Sequence, residues 1–98
     1  MLVRIVKLAI KTENIASFEL LFQANRKHIR ASEGCCFLAL YRDRQDPTVF
    51  FTHSHWKSEK ALEDYRESEF FKHLWGKTKK LFRSAPEAWS LHALETLN

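Results

Sequence analysis

The sequence contains no long apolar run, and its scarce residues exclude several classes of protein. No run approaches the roughly 20 apolar residues that a membrane-spanning helix needs. Arg4 and Lys7 interrupt the first apolar run, so we expect no signal peptide. With only two glycines and two prolines, the chain has no visible linker, repeat or low-complexity segment. We therefore predict a single domain over residues 1–98 and no association with a membrane.

Cysteine is also scarce, and the two cysteines are adjacent. Cys35 and Cys36 fall in a predicted strand, where neighbouring side chains point to opposite faces, so we expect no disulfide between them. Their spacing also differs from that of a metal site, and we predict no bound metal. Free thiols fit the reducing cytoplasm, which is the predicted location.

The composition that remains is that of a basic globular protein. Hydrophobic residues make up 45% of the chain, which excludes a disordered protein. The net charge of +4 would suit an anionic partner, but the basic residues are scattered. Their only compact cluster is Lys77, Lys79 and Lys80, a pattern more typical of a solvated helix face than of a nucleic-acid site.

Hydrophobic periodicity and turn residues predict the order of helices and strands. Strands are expected at 2–11, 35–42, 48–56 and 88–97, and helical segments at 14–31, 58–67 and 68–83. Asn14 and Ser58 are expected to cap helices, and Asp46-Pro47 marks a turn. With the last two helical segments taken together, the order is β-α-β-β-α-β. That order predicts a ferredoxin-like α+β fold with a four-stranded antiparallel sheet.

The first predicted strand is apolar on both faces. One face carries Leu2, Val6, Leu8 and Ile10, and the other carries Val3, Ile5 and Ala9. The helices of this fold cover only one face of the sheet, so the second face needs another cover. We therefore predict a homodimer in which two sheets pack face to face.

The densest group of titratable and aromatic side chains lies in residues 50–75, which read FFTHSHWKSEKALEDYRESEFFKHLW. A strand there ends in His53, His55 and Trp56 and leads into an aromatic helical region. A pocket is expected where the sheet meets these helices.

Several motifs resemble those of the antibiotic biosynthesis monooxygenase (ABM) domain family, which are dimeric α+β barrel proteins. They are the first strand VRIVKLAIK, then E-G-C after the first helix, R-D-x-x-D-P before the third strand, H-W-K-S-E-K-A-L, and S-E-F-F-K. The resemblance covers nearly the whole chain. It implies a homodimer with an eight-stranded interface and a pocket between sheet and helices.

The resemblance implies two kinds of activity, or none. Some members of this family are cofactor-free oxygenases of aromatic phenols or quinols, some degrade haem, and others have no known activity. The haem-degrading members use an Asn on the first strand, a helical Trp and a later His. Here the two helical positions hold Tyr65 and Trp75 and the first strand has no Asn, so we expect no haem degradation. The usual family His near Tyr65 and acid near Ser54 are also replaced.

The histidines of the third strand are candidate catalytic bases. His53 and His55 share one face of the strand, opposite Thr52, Ser54 and Trp56. A histidine could favour the anion of a phenolic substrate. Trp56 precedes a helix and is expected to turn toward it, which instead favours an interface position for both histidines. Both alternatives stay open.

Five further residues are candidates for the site. Arg4 lies among apolar residues on its strand and could either stabilise a phenolate or pair with Glu63 or Glu67. The candidate substrate-binding residues are Tyr65, Trp75, Trp56 and Phe71. The resemblance implies that Tyr65 and Trp75 line the pocket, although aromatic residues at helical spacing also fill cores. From the resemblance we expect a cofactor-independent monooxygenase acting on a small quinol or polyphenol. The alternative is a non-catalytic small-molecule binding or stress-response protein of the same fold.

Overall fold

Four antiparallel strands form one sheet, and three helices lie against one of its faces. The computed structural model describes all residues from Met1 to Asn98. The elements are β1 (Leu2–Ala9), α1 (Ile15–Arg30), β2 (Cys35–Arg42), β3 (Val49–Trp56), α2 (Glu59–Glu67), α3 (Glu69–Lys79) and β4 (Glu87–His92), with a 3-10 turn at Thr12–Asn14 before α1. None of these helices is both long enough and apolar enough to cross a membrane.

The strand order is β2-β3-β1-β4, which confirms the ferredoxin-like prediction. β2 has the predicted bounds, whereas β4 ends at His92 instead of residue 97. The pairing explains the difference. His92 lies opposite Leu2, where β1 begins, so the chain beyond His92 has no strand to pair with.

Two serines begin the two helices of the second helical region, and Ser68 separates α2 from α3. The Ser58 hydroxyl accepts a hydrogen bond from the Ala61 amide at 3.1 Å, and the Ser68 hydroxyl accepts one from the Phe71 amide at 3.1 Å. Each serine therefore begins its own helix as an N-cap. Asn14 stands at the N-cap position of α1, as predicted, but its side chain makes no capping hydrogen bond and its amide nitrogen instead donates to the Leu81 carbonyl at 3.5 Å.

The core consists of two apolar clusters on the helical side of the sheet. Leu2, Cys35, Trp56 and Leu62 form one, and Leu8, Ile10, Phe18 and Phe50 form the other. A β-bulge between Cys35 and Phe37 separates the two thiols, so Cys35 is buried in the first cluster and Cys36 is half-buried. Both cysteines are free, as predicted.

The opposite face of the sheet has no cover within the chain. Alternation along the strands and the pairing register place Ile5 next to Trp89 and Val3 next to Leu91 on this outer face. Phe37 and Tyr41 of β2 belong to the same face, together with His53 and His55 of β3. Trp89 and Leu91 remain 42% and 48% exposed.

The two glycines provide a matched test of this packing. Gly34 has a φ of +85°, and a Cβ added there would lie 2.5 Å from the Ala61 Cβ. We expect Gly34→Ala to lower the free energy of unfolding by about 1–3 kcal/mol, because it adds backbone strain and a clash. A Cβ added at Gly76, within α3, would have no other atom within 4 Å. Because alanine favours a helix more than glycine does, Gly76→Ala should raise the free energy of unfolding by up to about 1 kcal/mol.

Urea denaturation of both variants measures the two effects. An unchanged midpoint for Gly34→Ala would show that the tight approach of β2 to α2 is not required by the fold.

Candidate ligand-binding cavity

A cavity of about 310 Å³ lies between the sheet and the helices. Its walls come from every helix and strand, and 14 of its 20 lining residues are hydrophobic. The volume lies at the lower end of the range for small-molecule sites. Arg66 and Ala88 are exposed members of the lining, so the cavity opens to solvent between α2 and β4. A small, mostly apolar molecule fits this space.

An aromatic wall, formed by Trp56, Tyr65, Phe71 and Trp75, runs along one side of the cavity. The ring centroids of successive members are 4.9, 5.1 and 5.7 Å apart, and the Phe71 and Trp75 planes lie within 15° of parallel. The structure therefore brings together all four residues that the sequence suggested for substrate binding. Such a wall can stack against a flat aromatic ring.

The orientation of the Trp56 indole and the protonation of the Tyr65 phenol are both set by their surroundings. The Ser54 hydroxyl oxygen accepts a hydrogen bond from the Trp56 indole nitrogen at 2.9 Å, which fixes the indole at the cavity. Burial, helped by the nearby Cys35, raises the pKa of Tyr65. The Tyr65 phenol therefore keeps its proton at neutral pH and is able to donate a hydrogen bond to a ligand.

Arg4 reaches the cavity from β1, the strand between β3 and β4. Its Nη1 donates a hydrogen bond to the Ser90 hydroxyl at 2.9 Å. The alternative of an ion pair with Glu63 or Glu67 was wrong, because Glu67 pairs with Lys72 at 3.7 Å and Glu63 forms no salt bridge. Arg4 is thus available to a ligand in the cavity.

His53 and His55 lie on the outer face, away from the cavity. The Tyr41 hydroxyl is 3.2 Å from His53 Nδ1, and the Nε2 atoms of His53 and His55 are 2.9 Å apart. Phe37 stacks on the His55 ring, with centroids 4.6 Å apart. Their assignment as bases for a substrate in the cavity is corrected, because strand alternation directs them to the other side of the sheet.

Sequence reasoning missed two residues near Arg4. Arg66 lines the cavity from α2, and Ser90 of β4 accepts the Arg4 hydrogen bond. Arg66 directly follows Tyr65, and consecutive helical residues point about 100° apart, so periodicity gave no reason to place both at one cavity. Ser90 lies opposite Arg4 because of the register of β4 against β1. That register could not be assigned from the sequence alone, so the contact could not be predicted.

Comparison with known proteins identifies the family. Residues 1–75 match the family model described as antibiotic biosynthesis monooxygenase. The chain belongs to this family. The match includes β1 to β3, α2 and most of α3, and so it covers most of the cavity lining. A search of curated proteins found no significant match.

Solved structures share the fold of this ABM domain. One described as an antibiotic biosynthesis monooxygenase has a TM-score of 0.90 and 24% identity, with 97% of this chain and 100% of that chain covered. A Deinococcus radiodurans protein that carries the same family name has a TM-score of 0.90 and 19% identity, with 100% and 97% covered. A conserved protein from Methanosarcina mazei has a TM-score of 0.86 and 22% identity, with 93% and 91% covered. At these identities the likeness establishes the fold alone.

The outer-face histidines predict a pH dependence of stability. Partial burial, followed by the charge of His55, lowers the pKa of His53 from its ordinary value of 6.5. The folded state then binds fewer protons than the unfolded state when the pH falls below about 6.5. The contribution of His53 to the free energy of unfolding is therefore fully present above about pH 6.5 and is lost as the pH falls below that value. We expect His53→Gln to lose less stability than the parent between pH 7.5 and 5.5.

Urea unfolding at one protein concentration measures this difference. His73→Gln, at an exposed position on α3, is the control and should follow the parent. Equal pH dependence of the parent and His53→Gln would contradict the prediction.

Proposed function

We propose that this chain is a cofactor-independent monooxygenase of a small, flat quinol or polyphenol bound in the cavity. The observation that carries the proposal is the combination of an aromatic wall with cations and no carboxylate in the lining. An apolar slot favours the ring, and a nearby guanidinium favours the phenolate over the phenol. This environment suits the electron-rich anion that reacts with dioxygen.

The substrate itself can supply the electrons for this reaction. In the oxidation of a quinol to a hydroxyquinone, one oxygen atom of dioxygen enters the ring and the other leaves as water. All four electrons come from the quinol. The protein's part is to bind the ring, stabilise its anion through Arg4 and limit the access of water. The substrate proton would leave through the cavity mouth, because no histidine or carboxylate lines the cavity.

The absence of such a base also favours a second candidate function. A non-catalytic protein that binds and sequesters an aromatic molecule needs the cavity but no proton acceptor. The two functions differ in oxygen consumption. Saturable ligand binding without oxygen uptake above the spontaneous rate would favour the binding protein.

We also propose that a second copy of the chain covers the outer face, giving a homodimer. Exposed Trp89, Leu91, Phe37 and Tyr41 on one face are costly to leave in water. The outer face is the same on both copies, which suits a two-fold interface. The cavity lies on the helical side, so ligand binding and dimer formation would use opposite faces of the sheet.

Two measurements with 1,4-dihydroxynaphthalene test the function. Binding is followed under anaerobic conditions by the quenching of tryptophan fluorescence, and turnover is followed by oxygen uptake. We expect saturable quenching in the parent. Trp75→Ala should weaken binding by about 1–3 kcal/mol, because it removes one stacked aromatic surface of the cavity. Trp89→Ala, on the outer face, is the matched control and should leave ligand affinity unchanged.

Oxygen uptake is compared with the rate without protein and with catalase present. Enzyme-dependent uptake that falls in Trp75→Ala supports the monooxygenase. No saturable quenching by the quinol would contradict the proposed site, and equal losses in both tryptophan variants would contradict its location.

Light scattering tests the dimer. We expect about twice the 11.6 kDa chain mass at micromolar concentration. Trp89→Glu should shift the protein toward the monomer, because it buries a charge in an apolar interface. The control Glu87→Gln, on the same strand, should remain dimeric. A parent protein that is monomeric throughout this range would contradict the proposal.

A further inference from the structure

The charged residues of the cavity all have the same sign. Arg4 and Arg66 line it, and no aspartate or glutamate does. The four ion pairs of the protein are Glu19–Arg42, Lys60–Asp64, Glu67–Lys72 and Asp46–Arg83, and none includes either cavity arginine. The cavity therefore carries two positive charges that no acidic side chain of the chain neutralises.

The guanidinium of Arg4 has few hydrogen-bond partners within the protein. Arg4 is half-buried on a central strand, where the hydroxyl of Ser90 is the only group that accepts a hydrogen bond from its guanidinium. A guanidinium has five N–H donors, so most of them have no protein partner. Burial and, after it, the charge of Arg66 lower the pKa of Arg4, because both disfavour its charged form. A bound anion would relieve both effects.

The neighbours of Arg4 leave room for such an anion. Its partners across the two adjacent strands are Ser54 and Ser90, both with short side chains. Arg66 is exposed at the mouth, whereas the aromatic wall continues into the apolar interior. A ligand held here would keep its charged group near water and its ring against Trp75 and Phe71.

We propose that the ligand of this cavity is an aromatic carboxylic acid whose carboxylate binds between Arg4 and Arg66. The inference rests on the proposed function in taking the cavity as the site of the aromatic ligand, and it adds the substituent that the ligand carries. A lone phenolate would offset only one of the two charges. A carboxylate matches the planar donors of arginine, and an acid that also bears a ring hydroxyl supplies a second anion when that hydroxyl ionises.

A matched pair of ligands tests this proposal at equilibrium. Isothermal titration calorimetry compares 1-hydroxy-2-naphthoate with the neutral 1-hydroxy-2-naphthamide, which keeps the ring, the hydroxyl and nearly the same shape. We expect the acid to bind at least about tenfold more tightly at low salt, with a preference that shrinks as salt is added.

Three arginine variants locate the effect. Arg66→Gln should weaken binding of the acid by about tenfold and leave the amide within about twofold. Arg4→Gln should also weaken binding of the acid by about tenfold, and it should weaken binding of the amide less than binding of the acid. Arg44→Gln removes the same charge from an exposed turn outside the cavity and should change neither affinity. Thermal unfolding followed by circular dichroism checks each variant, and Arg66→Gln, at an exposed position, carries the test if Arg4→Gln does not fold.

The outcomes separate this inference from the proposed function. Equal affinity for acid and amide would overturn the inference and leave the aromatic site standing. A comparable loss in Arg44→Gln would also overturn it, since the preference would then reflect overall charge. Failure of both ligands to bind would overturn the aromatic site and this inference together.

Discussion

The two-residue alternation of side chains along β3 and β1 is the constraint on which the rest of the structure depends. Because of this alternation, the side chains of Thr52, Ser54 and Trp56 point toward the helices. Those of His53 and His55 point to the opposite side of the sheet. A shift of one residue in register would exchange the two sets and place two imidazoles in the apolar cavity. The division between a ligand side and an association side follows from this single geometric rule.

The helices complete the cavity because α2 and α3 are two separate helices, divided at Ser68. Ser58 and Ser68 each cap a helix, and the break between α2 and α3 lets Tyr65 and Phe71 meet edge to face at 5.1 Å. The aromatic wall is therefore built from both helices and from Trp56 of the sheet. The cavity remains because short side chains, such as Ser54, lie beneath these large ones.

The sequence was enough to predict most of the fold, because hydrophobic periodicity and turn residues are local signals. It also suggested the aromatic wall, since Trp56 directly precedes a helix and the family resemblance implied that Tyr65 and Trp75 line the pocket. The unpaired state of Arg4 and the contribution of Arg66 could not be predicted. Both depend on which side chains meet across separate elements, and β4, which ends at His92, is placed by its register against β1 rather than by its own residue pattern.

The three tryptophans allow one direct measurement of the central claim that the two faces of the sheet have separate roles. Trp56 and Trp75 line the cavity, and Trp89 lies on the outer face. In a ¹H–¹⁵N NMR titration with 1-hydroxy-2-naphthoate, the account predicts that the indole N–H signals of Trp56 and Trp75 shift saturably while that of Trp89 stays in place. A shift of the Trp89 signal with the other two unmoved would contradict it.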